Sequence, residues 1–228
     1  MPTIIRQSIA DFSVLIHQPD PEIKSDRLIV LLHGWGADGS DLIDMAPHLA
    51  ARFPAAVICA PDGPEPCSAN PMGKQWFDLG VDATLIDEGP SRAFPGLQKL
   101  LDALMEQFHI PPGRVVMAGF SQGGMMSLYG GVRTAEPFGA IISIAGALLA
   151  PAQMAQAMTV RPPILLIHGT EDQVVPFQAM DMAKAILEAN KVTVETQACE
   201  GVGHGISGDG LACMMDFIAA KLDGDSQG

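Results

Sequence analysis

The sequence predicts an α/β fold, with a mostly parallel central sheet and helices on both faces. Short, continuous, β-branched apolar runs recur along the 228 residues, as in strands buried on both faces. Between them lie stretches with apolar residues at helical spacing. Strand–helix alternation of this kind marks a parallel sheet covered by helices. The composition, 48% hydrophobic and 17% charged, is that of a globular chain and not a disordered one. No repeat, low-complexity segment or Pro/Gly/Ser-rich linker interrupts it. Residues 1–228 are therefore expected to form a single domain, with 223–228 a frayed polar tail. A chain of this length buries enough surface to fold without disulfides or a metal.

The elements follow in order. "RLIVLLHG" at 27–34 reads as a buried strand. "SDLIDMAPHLAARF" at 40–53 reads as a helix, because Leu42, Met45, Ala46 and Leu49 share a face and Ser40 can cap it. "AAVICAPDG" at 55–63 is the next strand. Residues 62–90 lack a strong helical pattern and read as a long loop. A helix over 94–110 then ends at Pro111-Pro112. "RVVMAGF" at 114–120 is a strand, and Gln122 to about Arg133 a helix. A strand at 139–148, a short helix at 151–158, a strand at 162–169 and a helix at 176–190 continue the alternation. "KVTVETQACE" at 191–200 alternates apolar with polar residues, as at a sheet edge, and 208–222 is the last helix.

Charge and cysteine usage narrow the possible functions. The formal net charge of −13 would repel nucleic acid and an anionic membrane surface. The four cysteines form no CxxC pair and no Cys/His cluster with zinc spacing. Cys59 lies in an apolar run, where a buried thiol is the simpler reading, so free thiols and a reducing compartment are expected. The N-terminus lacks the basic start and apolar core of a signal peptide, and no apolar run approaches the ~20 residues of a membrane span. A cytoplasmic protein without a stable membrane anchor is expected, as a monomer or weak homodimer.

Ligands of such sheets bind beyond the carboxyl ends of the strands. There, Gly119-Phe120-Ser121-Gln122-Gly123 fits G-x-S-x-G between a strand and a helix, the context of a nucleophile elbow. By itself the stretch also allows a plain glycine-rich turn. A phosphate loop is disfavoured, because the GxxxxGK[ST] pattern is missing. A serine nucleophile needs a base, and the base needs an orienting acid, in the chain order serine, acid, histidine. "HGTEDQVVP" offers Glu171 and Asp172 just past a strand, and the turn-like setting favours Asp172. His204, between Gly203 and Gly205 after the last strand, is the candidate base. Taken singly, the acid pair could solvate a surface turn and the histidine could be an exposed loop residue. Their joint order makes a serine hydrolase the stronger reading. The oxyanion donors should be the backbone N–H groups of Gln122 and, in the turn "HGWGADG", of Trp35.

On these residues the chain resembles the phospholipase/carboxylesterase family, which includes the acyl-protein thioesterases. The matching segments are "LLHGWGADGSDL", "APDGPEP", "KQWFDL", "GFSQGG", "AGALL", "HGTEDQVVP" and "GVGHGIS", in the family's order over nearly the whole chain. The resemblance implies an α/β-hydrolase fold without a large cap. It implies hydrolysis of carboxylic esters, lysophospholipids or acyl thioesters, with a small-molecule ester or thioester as partner and no cofactor or metal. It carries catalytic roles to Ser121, Asp172 and His204 and oxyanion roles to Trp35 and Gln122. Trp35 departs from the leucine usual in the family's thioesterases, which bears on acyl-chain length. Trp76 and Phe120 are candidate substrate contacts, although Trp76-Phe77 also suits a core anchor. The rival from another class is a non-catalytic acyl-ligand binding protein on the same fold.

Overall fold

In the computed structural model, residues 4–80, 83–151 and 156–224 are described. An eight-stranded sheet runs in the order β1-β2-β4-β3-β7-β8-β9-β10. Its middle and far side are parallel: β3 (Arg27–Leu32), β4 (Ala56–Pro61), β7 (Val115–Phe120), β8 (Ala140–Ile144), β9 (Ile164–Gly169) and β10 (Val194–Cys199). Every residue of β3, β4, β8 and β9 is buried, which is why these segments read as unbroken apolar runs. β10 is the edge expected from its alternation, with only Cys199 fully buried.

The near edge is an antiparallel hairpin that the expected element order omits. β1 (Ile4–Ile9) pairs with β2 (Phe12–His17), and β2 pairs antiparallel with β4. Five of the six β1 residues are exposed, so the strand's isoleucines, Ile4 and Ile5 among them, mark no alternating buried face. Its turn, Ala10-Asp11, takes positive φ at both residues (48° and 70°), the backbone of a two-residue hairpin loop without the usual glycine.

Helices cover both faces. On one lie α1 (Gly39–Ile43), α2 (Ala46–Arg52) and α6 (Gly208–Leu222), which bury Leu42, Leu49, Met214 and Phe217 against Ile29, Leu31 and Val116. On the other lie α3 (Ala83–Phe108), α4 (Gln122–Gly131) and α5 (Gln178–Ala189), whose Leu97, Leu101, Leu128 and Leu187 pack against Val30, Val57 and Met117. Each aliphatic side chain so buried contributes about 1.5–3 kcal/mol.

Three boundaries differ from expectation. The stretch 40–53 is two helices, because Pro47 opens a second one at its first turn. The cap of the first is Asp38 and not Ser40. The Asp38 carboxylate accepts the Ser40 N–H at 2.8 Å, and the Ser40 hydroxyl donates to the same oxygen. The helix expected from residue 94 begins at Ala83 and continues through Pro90 and Pro95. Those prolines and Gly89 break the sequence pattern, yet Gly89 is packing: a Cβ there would lie 2.3 Å from the Phe77 ring. The helix expected over 151–158 falls on residues 152–155, outside the described residues, as does most of the tail at 223–228. Between Asp62 and the start of α3, a small hairpin of β5 (Glu65–Pro66) and β6 (Lys74–Gln75) stands beside the strand ends. All four cysteines are free, and burial pushes the Cys59 thiol well up.

Candidate active site

The turn from β7 into α4 holds Ser121 at φ 53° and ψ −115°, a strained region for a residue with a side chain. Close packing enforces it. A Cβ on Gly119 would lie 2.1 Å from the Gly123 carbonyl oxygen, and one on Gly123 would lie 1.9 Å from that of Leu32. Both positions therefore exclude side chains. The Ser121 N–H donates to Ile144 O at 2.8 Å, and its carbonyl accepts the Met125 N–H at 3.0 Å.

Ser121 Oγ lies 3.0 Å from His204 Nε2, and His204 Nδ1 lies 2.8 Å from Asp172 Oδ2. A carboxylate only accepts, so Nδ1 carries the hydrogen. Nε2 of the neutral ring is then the acceptor for the Ser121 hydroxyl. The three residues expected to work together are thus brought into one hydrogen-bonded chain from three loops. Of the acidic pair, Glu171 is exposed, whereas the Asp172 side chain is fully buried.

Burial alone would raise the Asp172 carboxyl. The hydrogen bond from His204, with those from the Val175 and Val174 amides at 2.9 and 2.8 Å, instead holds it below the usual range. His168 adds to this shell. Its Nε2 is 2.9 Å from Val175 O and 3.3 Å from Asp172 Oδ2. Both are acceptors, so that nitrogen carries a hydrogen, and it approaches the same carboxylate oxygen that His204 engages.

The β3 loop supplies the second expected amide. Among the described residues, neither the Trp35 nor the Gln122 backbone N–H donates to a protein acceptor. His33 supports the Trp35 peptide from below. Its Nε2 accepts the Gly63 N–H at 2.7 Å, which leaves Nδ1 as the donor to Gly34 O, also at 2.7 Å. That carbonyl belongs to the same peptide group as the Trp35 N–H, so the imidazole fixes the plane of this amide. The His33 ring is fully buried, and burial, outweighing its hydrogen bond and nearby carboxylates, lowers its pKa. The Trp35 indole turns to the small hairpin, donating to Gln75 Oε1 at 3.0 Å.

Of the two readings the sequence allows for Trp76, substrate contact or core anchor, its burial fits the anchor. It is 1% exposed, donates from Nε1 to His33 O at 2.9 Å, and lies against the His33 and Phe12 rings. It is a core anchor under the β3 loop. Phe120 is half-buried, packs its ring 4.9 Å from that of His204, and lines a cavity of about 500 Å³ beside it. The Gln122 side chain was not singled out by the motif. Its Oε1 accepts the Trp76 N–H at 2.9 Å and its Nε2 donates to Phe77 O at 2.6 Å, tying the loop after β6 to the elbow. A His-Gly pair closing an apolar run, present at His33 and His168, was the available signal for the two supporting histidines. Among the described residues, no group of three His, Cys, Asp or Glu side chains could hold a metal ion, and no helix is long and apolar enough to cross a membrane.

The family model for phospholipase/carboxylesterase matches residues 17–222, nearly the whole chain. The chain belongs to the phospholipase/carboxylesterase family. It is 28% identical over 230 residues to acyl-protein thioesterase 1 homolog 1 of Dictyostelium discoideum, covering 96% of this chain and 98% of that protein. It is 27% identical over 201 residues to esterase YpfH of Escherichia coli, covering 87% and 84%. The crystal structure of esterase PE8 superposes with a TM-score of 0.88 at 35% identity, over 92% of this chain and 99% of that one. The phospholipase/carboxylesterase assignment makes the sheet that of an α/β-hydrolase. Among the described residues no large cap stands over its strand ends. It also places the protein among the carboxylic ester hydrolases.

Proposed function

We propose that this protein is a serine carboxylesterase acting on small-molecule esters or acyl thioesters through an acyl-enzyme. The observation that carries the proposal is the hydrogen-bonded chain Ser121–His204–Asp172 at the strand ends. Ser121 Oγ attacks the acyl carbonyl while its proton passes to His204 Nε2. The carbonyl oxygen becomes an oxyanion, held by the Trp35 and Gln122 amides; a preorganised donor of this kind is worth about 3–4 kcal/mol. Collapse of the tetrahedral species breaks the bond to the alkoxide or thiolate, which leaves with the proton from His204. Water then attacks the acyl-Ser121 carbonyl, giving its proton to the same nitrogen; the bond to Ser121 Oγ breaks, Oγ takes that proton back, and the acid departs. Asp172 keeps Nδ1 protonated and offsets the charge on the ring. The esterase and thioesterase names of the relatives support both leaving-atom types.

A fluorophosphonate probe should label the protein at Ser121, and aryl-ester hydrolysis by Ser121→Ala should fall about 10⁴- to 10⁶-fold with the fold intact. Hydrolysis by folded Ser121→Ala at the parent rate would overturn the proposal.

A further inference from the structure

Given the serine mechanism proposed above, the proton returned by His204 must reach the leaving oxygen or sulfur directly. That atom must therefore come within hydrogen-bond reach of Nε2, and the group attached to it must pass on the imidazole side. On that side lies the cavity of about 500 Å³, walled by His204 and the residues that follow it. This is the size of a small-molecule site and far more than methanol or ethanol would fill. Its apolar surface comes from Leu42, Met45, Phe120, Ile206 and Leu211. Asp41 and Asp44 stand on its rim, both exposed, and His48 is beside them. Among the described residues no lysine or arginine lines it.

We infer that this cavity is the leaving-group compartment, and that it selects bulky alcohols or thiols that are neutral or cationic over anionic ones such as phosphorylated alcohols. The argument is one of size and of charge together. An apolar floor next to the proton donor rewards an aromatic or aliphatic leaving group with buried area. A phosphate or sulfonate carried there would need N–H or cationic partners to replace its water. It would meet two full carboxylate charges, against which the N-terminus of α6 at Ser207 and Gly208 sets only about half a positive charge. Two exposed carboxylates several ångströms from the charge, partly screened, amount to discrimination on the order of tenfold. The reading also separates substrates that the serine chemistry alone treats alike. Esters of neutral or amine-bearing alcohols fit, whereas thioesters and lysolipids with phosphorylated leaving groups do not.

The test uses butanoate esters of phenol, 3-(trimethylammonio)phenol and 3-sulfophenol. Each kcat/KM is divided by the hydroxide rate constant of the same ester, which removes intrinsic reactivity. The parent enzyme should favour the cationic over the anionic ester on the order of tenfold, and Asp41→Asn/Asp44→Asn should shrink that ratio toward one. Leu211→Trp, which fills the floor, should lower the naphthyl-to-methyl ester ratio at a fixed acyl group. A charge ratio unmoved by the double substitution overturns the inference. So does a Leu211→Trp enzyme whose response shifts with acyl length in place of leaving-group size. Fluorophosphonate labelling separates the two levels. Normal labelling with a flat charge ratio overturns the compartment alone, and a parent protein that is not labelled overturns the serine mechanism beneath it.

Discussion

His33 and His204 stand just beyond strand ends with a glycine next in sequence, and they serve opposite purposes. The His33 ring is sealed in the protein, with both nitrogens committed to backbone partners, Gly63 N–H and Gly34 O. The His204 side chain is 18% exposed, beside a cavity, with one nitrogen on Asp172 and the other on a serine hydroxyl. One ring is a strut that must never change its proton count. The other is placed where a proton can come and go. The partners, and not the residue type or the local glycine, decide which is which.

The sharpest way to break this comparison is to remove each ring. His204→Ala should cost at least 10³-fold in kcat for aryl esters while leaving the thermal midpoint near that of the parent, since an acid–base group contributes chemistry more than packing. A loss of less than tenfold would reverse the roles assigned to the two rings.

The next effect isolates the strut. An asparagine at 33 can place its amide N–H where Nδ1 was, keeping the donor to Gly34 O. A glutamine reaches instead toward Gly63. His33→Gln should therefore lower kcat roughly 10- to 100-fold at little change in KM, since a misaligned oxyanion donor costs up to its full 10²–10³. His33→Asn should recover most of that loss. Affinity for an aryl boronic acid, which forms the tetrahedral adduct, should follow the same order. Equal losses in both variants would mean that the ring only fills space.

The smallest effect concerns pH and stability. Burial lowers the pKa of His33 and also of His17, whose ring nitrogens have no hydrogen-bond partner among the described residues. The folded chain keeps these rings neutral where the unfolded chain, with ordinary histidines near 6.5, takes up protons. Stability should be level above about pH 7 and decline as pH falls through about 6.5. Asp26 and Asp38 do not share this window. Their carboxyls are held low, Asp26 chiefly by the Arg27 guanidinium and Asp38 by Ser40, so the stability they confer is lost only below about 3.8. Urea midpoints at pH 7.5 and 5.5 measure the slope, and His17→Leu should flatten it. A midpoint that rises on acidification would contradict the buried, neutral rings.

Most of the parallel sheet was legible in the sequence because strands buried on both faces cannot hide their apolar runs. The β1–β2 hairpin was not, since an edge strand with five exposed residues needs no pattern and its turn lacks glycine. The early part of α3 was masked by Gly89 and Pro90, which answer to the Phe77 ring and to tertiary packing rather than to helix propensity. At the candidate site, the elbow and the last histidine stood out because each sits among glycines past a strand, and the acid because its turn follows a strand in the expected order. The supports did not. Trp76 looks the same in sequence whether it lines a pocket or anchors a loop, and the reach of Gln122 across 46 positions to the Trp76 amide leaves no local trace.

That last contact has a consequence for how this corner of the molecule can diverge. His33 offers its carbonyl to the Trp76 indole, and Trp76 offers its amide to the Gln122 side chain. The acceptor on His33 and the donor on Trp76 are main-chain groups, so only the Trp76 indole and the Gln122 side chain can be lost by substitution. Replacing Trp76 strands the His33 carbonyl, and replacing Gln122 strands the Trp76 amide, each at a penalty of about 1–3 kcal/mol. Drift here is held back position by position: the partner left behind is main chain, so no matching exchange at the other end of the bond can remove it, and only a new side chain of the same reach can satisfy it.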